Sequence, residues 1–369
     1  MMTTMRAAVL REFGAPMEIA EVEVQAPRAG EVRVRVAASG VCGSDIKAID
    51  DKSPVVKELP YILGHESAGV VEEVGPGVTG VKPGDHVIVA MNGPCGRCRN
   101  CSRGRVHLCS GQARMSAIMG LMADGSTRLS LDGTPVRPFI GIGSFAEQVV
   151  VGEATCIKVA KDAPLDLLAL TACGVVTGVG AVFNTAQVER GSSVLVVGCG
   201  GVGLNVIQGA VLAGATTIIA ADIAESKLTL AQEFGATHTI LSEDLVKQVG
   251  AIVRGGVDYA FDVTGSPAVL ATAFAATQPG GTTVMVGSPP PGKNLEIPAG
   301  TLFGSRRLLG TQGGDAAPAR DLPLLVDLYE RGRLNLEGLV SERVPLDQIN
   351  EAIAHVRAGA VARSVIVFD

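Results

Sequence analysis

Polar and apolar residues alternate strictly over Glu31-Val32-Arg33-Val34-Arg35-Val36, the two-residue period of a strand with one buried face. Shorter apolar runs follow at Val70-Val71 and at Val87-Ile88-Val89, punctuated by Val74-Gly75-Pro76-Gly77 and Lys82-Pro83-Gly84-Asp85. The first part of the chain therefore reads as β-rich. Near Leu165 the texture changes. From Val194 onward the apolar runs VLVV, TIIAA, THTIL, VDYAFDV and TTVMVG alternate with stretches of helical length. Such runs predict βαβ units around a parallel sheet buried on both faces, an α/β architecture. Beyond about Asp315 the pattern predicts helices over 322–331 and 346–357 and an apolar strand over 364–368.

A chain of 369 residues is long for one core, which favours two domains. Hydrophobic content of 47% with 47 glycines and no tryptophan fits tightly packed α/β layers rather than a disordered or fibrous chain. A net charge of −6 gives no electrostatic reason to expect nucleic acid or an anionic membrane as partner. Arg97, Arg99, Arg103 and Arg105 are the local exception, and they sit among cysteines whose metal complex would carry negative charge. The start MMTTMRAAVLREFG lacks the apolar core of a signal peptide, and no run approaches a membrane-spanning helix. Eight cysteines without a secretory signal point to a reducing compartment, the cytoplasm, with thiols used for metal.

Four of those cysteines, Cys95, Cys98, Cys101 and Cys109, are spaced C-x2-C-x2-C-x7-C. Four thiolates on one loop match a closed tetrahedral Zn²⁺ site, which braces structure and leaves no position for substrate. A second motif, Gly198-Cys199-Gly200-Gly201-Val202-Gly203, follows the run Val194-Leu195-Val196-Val197 and precedes a helix-like stretch. Gly198, Gly200, Gly201 and Gly203 would allow the tight turn and the close approach of a pyrophosphate at the helix N-terminus. The next apolar run ends on Asp222, at the offset of the acid that binds an adenosine ribose. That carboxylate would repel the extra phosphate of NADP, so NAD is the expected cofactor, with Lys227 near its adenosine end. Cys42, His65 and Cys173 are scattered, and spacing does not unite them. Together they would leave a fourth zinc position open, as a catalytic site requires. Cys156 and Cys199 need no such role.

The stretch GHESAGVVEEVGPGVTGVKPGDHV, Gly64 to Val87, resembles the zinc signature of the medium-chain alcohol dehydrogenases, and the four-cysteine run and glycine motif follow in that family's order. The resemblance implies a GroES-like β-rich catalytic domain, residues 1–174 and 316–369, with a structural zinc lobe over about 92–112. Around residues 175–315 it implies a Rossmann NAD-binding domain with a doubly wound parallel sheet. It further implies two Zn²⁺ per chain, the catalytic one held by Cys42, His65 and Cys173 with Glu66 as an occasional ligand. Asp45 matches the carboxylate that orients the histidine ligand, and Ser44 the hydroxyl that takes the alcohol proton. Thr177 and Val202 match positions beside the nicotinamide, Val286 a backbone contact to its amide, and Arg363 a contact to the pyrophosphate. Met91, Phe139 and Ile140 match the substrate channel, and their apolar character implies a primary apolar or aromatic alcohol.

Two positions depart from the family pattern. Gly43 replaces a basic residue after the first zinc cysteine, and Lys47 stands where liver-type enzymes end a proton relay in histidine. Lys47 is assigned no catalytic role. The segment 110–144 is long, as in the liver-type and thiol-dependent formaldehyde dehydrogenase branches, so oxidation of a formaldehyde–thiol adduct is the alternative function. In that branch a glutathione-binding arginine falls within one residue of Arg114. A non-catalytic binding protein on the same fold is the remote alternative, and such a relative would be expected to have lost zinc ligands. By resemblance the chain forms a homodimer, with a tetramer as the alternative, and the last Rossmann strand, near 307–311, would otherwise leave an open edge.

Overall fold

In the computed structural model, which describes residues 2–91 and 93–369, the alternating segment forms the strand Glu31–Gly40. Val32, Val34 and Val36 are fully buried, while Arg33 on the opposite face pairs with Glu73 at 2.7 Å. This strand is the spine of the first of two compact units, residues 1–173, 317–330 and 336–369. From it the sheet runs one way through Glu66–Val74, His86–Val89 and Cys156–Val159, and the other way through Arg363–Val367 and Val340–Pro345. Gln148–Gly152 pairs with the same spine. A closed barrel of Thr3–Leu10, Glu18–Val24, Leu129–Leu131, Thr134–Pro138 and Tyr61–Ile62 completes the unit around Val9, Leu10, Val22, Ile62 and Phe145. Segment 110–144 is thus not a structureless insertion: its hairpin supplies two barrel strands.

Register matters most for the site. The antiparallel ladder sets Gly40 opposite Glu66, and the strand Arg363–Val367 sets Val365 opposite Gly40. Residues just beyond that point, Cys42, His65 and Arg363, are therefore delivered to the same end of the sheet from three distant parts of the sequence.

The second unit, residues 174–316 and 331–335, carries a six-stranded parallel sheet. Its order is His238–Leu241, Thr217–Asp222, Ser193–Val197, Val257–Asp262, Thr277–Met285, Arg307–Gly310. The order reverses direction at Ser193–Val197, the switch point at which doubly wound sheets bind nucleotides. Val194, Leu195 and Val196 are fully buried, as expected of a central strand covered on both faces. Residues 331–335 cluster with this unit, where the Gln208 side chain exchanges hydrogen bonds with the backbone N–H (2.7 Å) and carbonyl (3.3 Å) of Asn335. The helix expected over 322–331 spans Pro318–Glu330, and the one expected over 346–357 spans Ile349–Ala358 after a 3-10 turn, Leu346–Gln348. Among the described residues no single helix is long and apolar enough to cross a membrane.

Candidate active site and structural metal lobe

Cys42 precedes the short helix Gly43–Ile49, and His65 and Glu66 begin the strand paired with the spine. Cys173 follows the 3-10 turn Ala169–Ala172. The ligand atoms of Cys42, His65, Glu66 and Cys173 all lie within 4.8 Å of one another, and all four residues are buried. No disulfide joins the thiols. Ser44 Oγ stands 3.2 Å from both Cys42 Sγ and His65 Nε2. Phe139 meets the imidazole edge-on, ring centroids 5.4 Å apart.

Asp45 ties these parts together. Its carboxylate accepts the backbone N–H of Cys42 (2.9 Å) and of Gly64 (3.0 Å) and faces His65 Nδ1 at 3.1 Å. A proton on Nδ1 leaves the Nε2 lone pair toward the thiols, the tautomer that a metal needs. Asp45→Asn offers only one acceptor oxygen to three donors. That variant is expected to lose metal affinity about 10- to 100-fold, as read by titration against a zinc buffer; unchanged affinity would refute the positioning role.

Electrostatics favour a cation here. The hydrogen bond from Cys173 holds the Cys42 thiol well below its ordinary pKa, and the same bond with burial pushes Cys173 well above its own. Burial opposes charging of His65, but Asp45 and Cys42 outweigh it and hold the imidazole well above its usual value. Burial also pushes Glu66 up to about 7, with Arg363 opposing. Acidic groups crowded without water are what a divalent ion relieves, so the donor set fits zinc.

Arg363 is buried, and one of its guanidinium nitrogens lies 3.6 Å from Glu66 Oε1. Read along the chain, these two residues have separate expected tasks; the register brings them together. Of the expected channel residues, Phe139 touches the cluster through His65, while Met91 and Ile140 are half-buried in the same unit. Ile140 holds φ at +46°, a strained setting for a β-branched residue and worth about 1–3 kcal/mol. Burial lowers the pKa of Lys47, with Cys42 opposing.

In the lobe the four thiols also converge within 4.8 Å. Cys98 and Cys109 sulfurs are 3.9 Å apart, close to the edge of about 3.8 Å for a tetrahedron with Zn–S bonds of about 2.3 Å. The N–H groups of Cys95 and Gly111 donate to Cys109 Sγ at 3.3 Å, and that of Cys101 to Cys98 Sγ at 3.5 Å. Such donors favour thiolates, and the set fits a closed zinc site. Asn92, the first residue of the expected lobe, lies outside the described residues. Arg97, Arg99, Arg103 and Arg105 are exposed. Arg114 is buried and donates to the Cys109 carbonyl at 2.7 Å, bracing the lobe.

In the second unit the strand Ser193–Val197 turns through the glycines into the helix Gly201–Ala213. Gly198 has φ +95°, and a Cβ on Gly203 would fall 1.9 Å from the Gly198 carbonyl oxygen, so both must be glycine. Around Gly200 nothing lies within 4 Å of such a Cβ, room for a phosphate to approach. Asp222 ends the next strand, its carboxylate accepting the N–H groups of Cys199 (2.7 Å), Ile223 (2.8 Å) and Ala224 (3.1 Å). Val202 lies in the first helical turn, Thr177 on the helix Gly174–Gly180, and Lys227 on Glu225–Glu233. Val286 gives its N–H to the Asp262 carbonyl at 2.8 Å.

Residues 28–161 match the family described as the alcohol dehydrogenase GroES-like domain, and residues 201–331 match zinc-binding dehydrogenase. The chain is 41% identical to the S-(hydroxymethyl)glutathione dehydrogenase of Paracoccus denitrificans, over 98% of this chain and 99% of that one. Among solved structures it resembles an alcohol dehydrogenase zinc-binding domain protein from Burkholderia ambifaria, with TM-score 0.95, 42% identity and all of both chains covered. Benzyl alcohol dehydrogenase from Acinetobacter calcoaceticus is similar too, with TM-score 0.93 and 35% identity, again over all of both chains.

Proposed function

This chain belongs to the zinc-dependent medium-chain alcohol dehydrogenases, enzymes that interconvert alcohols and aldehydes with NAD(H), and on that premise we propose that it oxidises primary apolar or aromatic alcohols. The observation that carries the assignment of residues is the buried convergence of Cys42, His65, Glu66 and Cys173. Zinc held by Cys42, His65 and Cys173 would lower the pKa of an alcohol hydroxyl, and NAD would accept the hydride. Ser44 Oγ, beside Cys42 and His65, is the group that takes the hydroxyl proton. Asp45 keeps His65 in its ligating tautomer, and Phe139, with Met91 and Ile140, gives the substrate an apolar wall. Gly198, Gly200, Gly201 and Gly203 seat the pyrophosphate with help from Arg363, and Asp222 and Lys227 hold the adenosine. Thr177, Val202 and the Val286 carbonyl hold the nicotinamide. Cys95, Cys98, Cys101 and Cys109 hold a second, structural zinc.

The relationship to S-(hydroxymethyl)glutathione dehydrogenases favours a second reading, oxidation of a formaldehyde–thiol adduct. Against it stands Arg114, the cation nearest the expected glutathione contact, which is buried and bonded to Cys109. NADH formation from benzyl and aliphatic alcohols without added thiol is the expected result, with NADP at least about tenfold poorer than NAD because Asp222 would face the ribose. Activity only toward formaldehyde with a low-molecular-weight thiol would replace the first reading by the second. We place the enzyme in the cytoplasm as a homodimer. The edge strand Arg307–Gly310 and the exposed Leu302 and Phe303 nearby support a self-association face.

A further inference from the structure

The four-cysteine lobe and the imidazole of His65 are joined by a short chain of contacts, all within the first unit. Gly111 is the first link. A Cβ there would fall 2.6 Å from Cys95 Cβ and 2.7 Å from its Sγ, so the backbone that opens the helix Gln112–Ile118 lies directly on the lobe. Arg114, in the first turn of that helix, reaches back to the Cys109 carbonyl at 2.7 Å. At the other end the Met119 carbonyl accepts the Tyr61 hydroxyl at 3.3 Å, which ties the helix to the barrel. Between these two anchors Ala117 meets Gly141: a Cβ on Gly141 would fall 2.7 Å from Ala117 Cβ and 3.0 Å from its Cα. Gly141 ends the turn Phe139–Gly141, in which Ile140 holds φ at +46°. A β-branched residue keeps that setting only where its surroundings impose it. Phe139, at the start of the same turn, is the ring set edge-on against His65.

We propose that Arg114 and Ala117 are positioning residues, through which the cysteine lobe backs the strained turn and holds Phe139 against His65. On the reading of the site as alcohol-oxidising, on which this rests, they thereby favour substrates with an aromatic or bulky apolar body. A turn in a strained setting relaxes once its backstop moves, and a wall displaced by about 1 Å costs alignment of the substrate that leans on it. Benzyl alcohol, whose ring would lie along Phe139, leans on that wall much more than ethanol does. The effect therefore falls on KM for large alcohols and spares the chemical step, which the groups around His65 carry.

The test uses the zinc-loaded full chain with para-fluorophenylalanine at its nine phenylalanine positions, the Phe139 fluorine line being assigned by Phe139→Leu. Arg114→Met keeps the apolar stem and loses the donor, while Ala117→Val crowds Gly141 and leaves the cysteines untouched. Each variant should shift the Phe139 line while its zinc content stays at the parent's value. Each should raise KM for benzyl alcohol about tenfold and leave kcat, and KM for ethanol, within about threefold. Ala117→Val carries the test if Arg114→Met does not fold. A Phe139 line at the parent's position in both variants would overturn the proposal. So would equal losses of kcat/KM for benzyl alcohol and ethanol, the mark of a merely structural role. A shifted line in a chain that oxidises neither alcohol would uphold the positioning of Phe139 and overturn instead the function assigned to the site.

Discussion

Replacing His65 by alanine is expected to lower kcat/KM for alcohol oxidation about a thousandfold or more, a loss of roughly 4 kcal/mol in transition-state stabilisation. His65 is 1% exposed, facing Asp45 through Nδ1 and the Ser44 hydroxyl through Nε2, with the Cys42 and Cys173 thiols in the same cluster. Its removal leaves two sulfurs and a buried carboxylate to hold the metal. Zinc content should fall from two per chain to one, while the circular dichroism spectrum stays that of the parent. Retention of more than a tenth of the activity with both zincs bound would remove His65 from the ligand set.

The lobe should answer differently. Cys98→Ala takes one of four thiolates from a site that in small metal domains contributes about 10–16 kcal/mol to folding. A sizeable part of that should be lost locally, so that residues 93–111 become protease-sensitive and the melting temperature falls by several degrees. One zinc per chain should remain, and kcat of the folded fraction should stay within about threefold, because a closed site takes no part in the reaction. A variant equally stable to proteolysis and heat would show that the lobe needs no metal. The opposite pattern, intact stability with lost turnover, would exchange the roles of the two clusters.

How much of this was visible in the sequence follows from burial. Parallel strands covered on both faces must be apolar throughout, so VLVV and TIIAA stood out, and the glycine motif could be read from its place between strand and helix. The strand Glu31–Gly40 was visible because only one of its faces is buried over the alternating stretch. Very short strands were not: Leu129–Leu131 and Thr134–Pro138 carry too few residues to set a period, although they close the barrel. The helix Pro318–Glu330 starts earlier than its apolar pattern because proline is well suited to the first helical position, where no N–H is needed. Residues 331–335 cluster with the second unit, and the hydrogen bonds between Gln208, on a distant helix, and the Asn335 backbone have no local signal in the sequence.

The site itself was only half legible. Four cysteines within fifteen positions announce themselves, but Cys42, His65 and Cys173 were joined by family resemblance and not by spacing. The physical link is a pairing register, and registers are not written locally. For the same reason the contact between Glu66 and Arg363 was missed, as was the hydrogen bond from Arg114 to the carbonyl of Cys109.

That register has a consequence for biosynthesis. The strand Arg363–Val367 is translated about 300 residues after its neighbour Glu31–Gly40. Until it emerges from the ribosome, one edge of the spine carries unpaired backbone groups, and Glu66 has no arginine beside it. The nascent chain therefore holds two of the three proposed catalytic zinc ligands early but cannot finish their surroundings until that strand has been made. The self-contained four-cysteine lobe can take its metal long before.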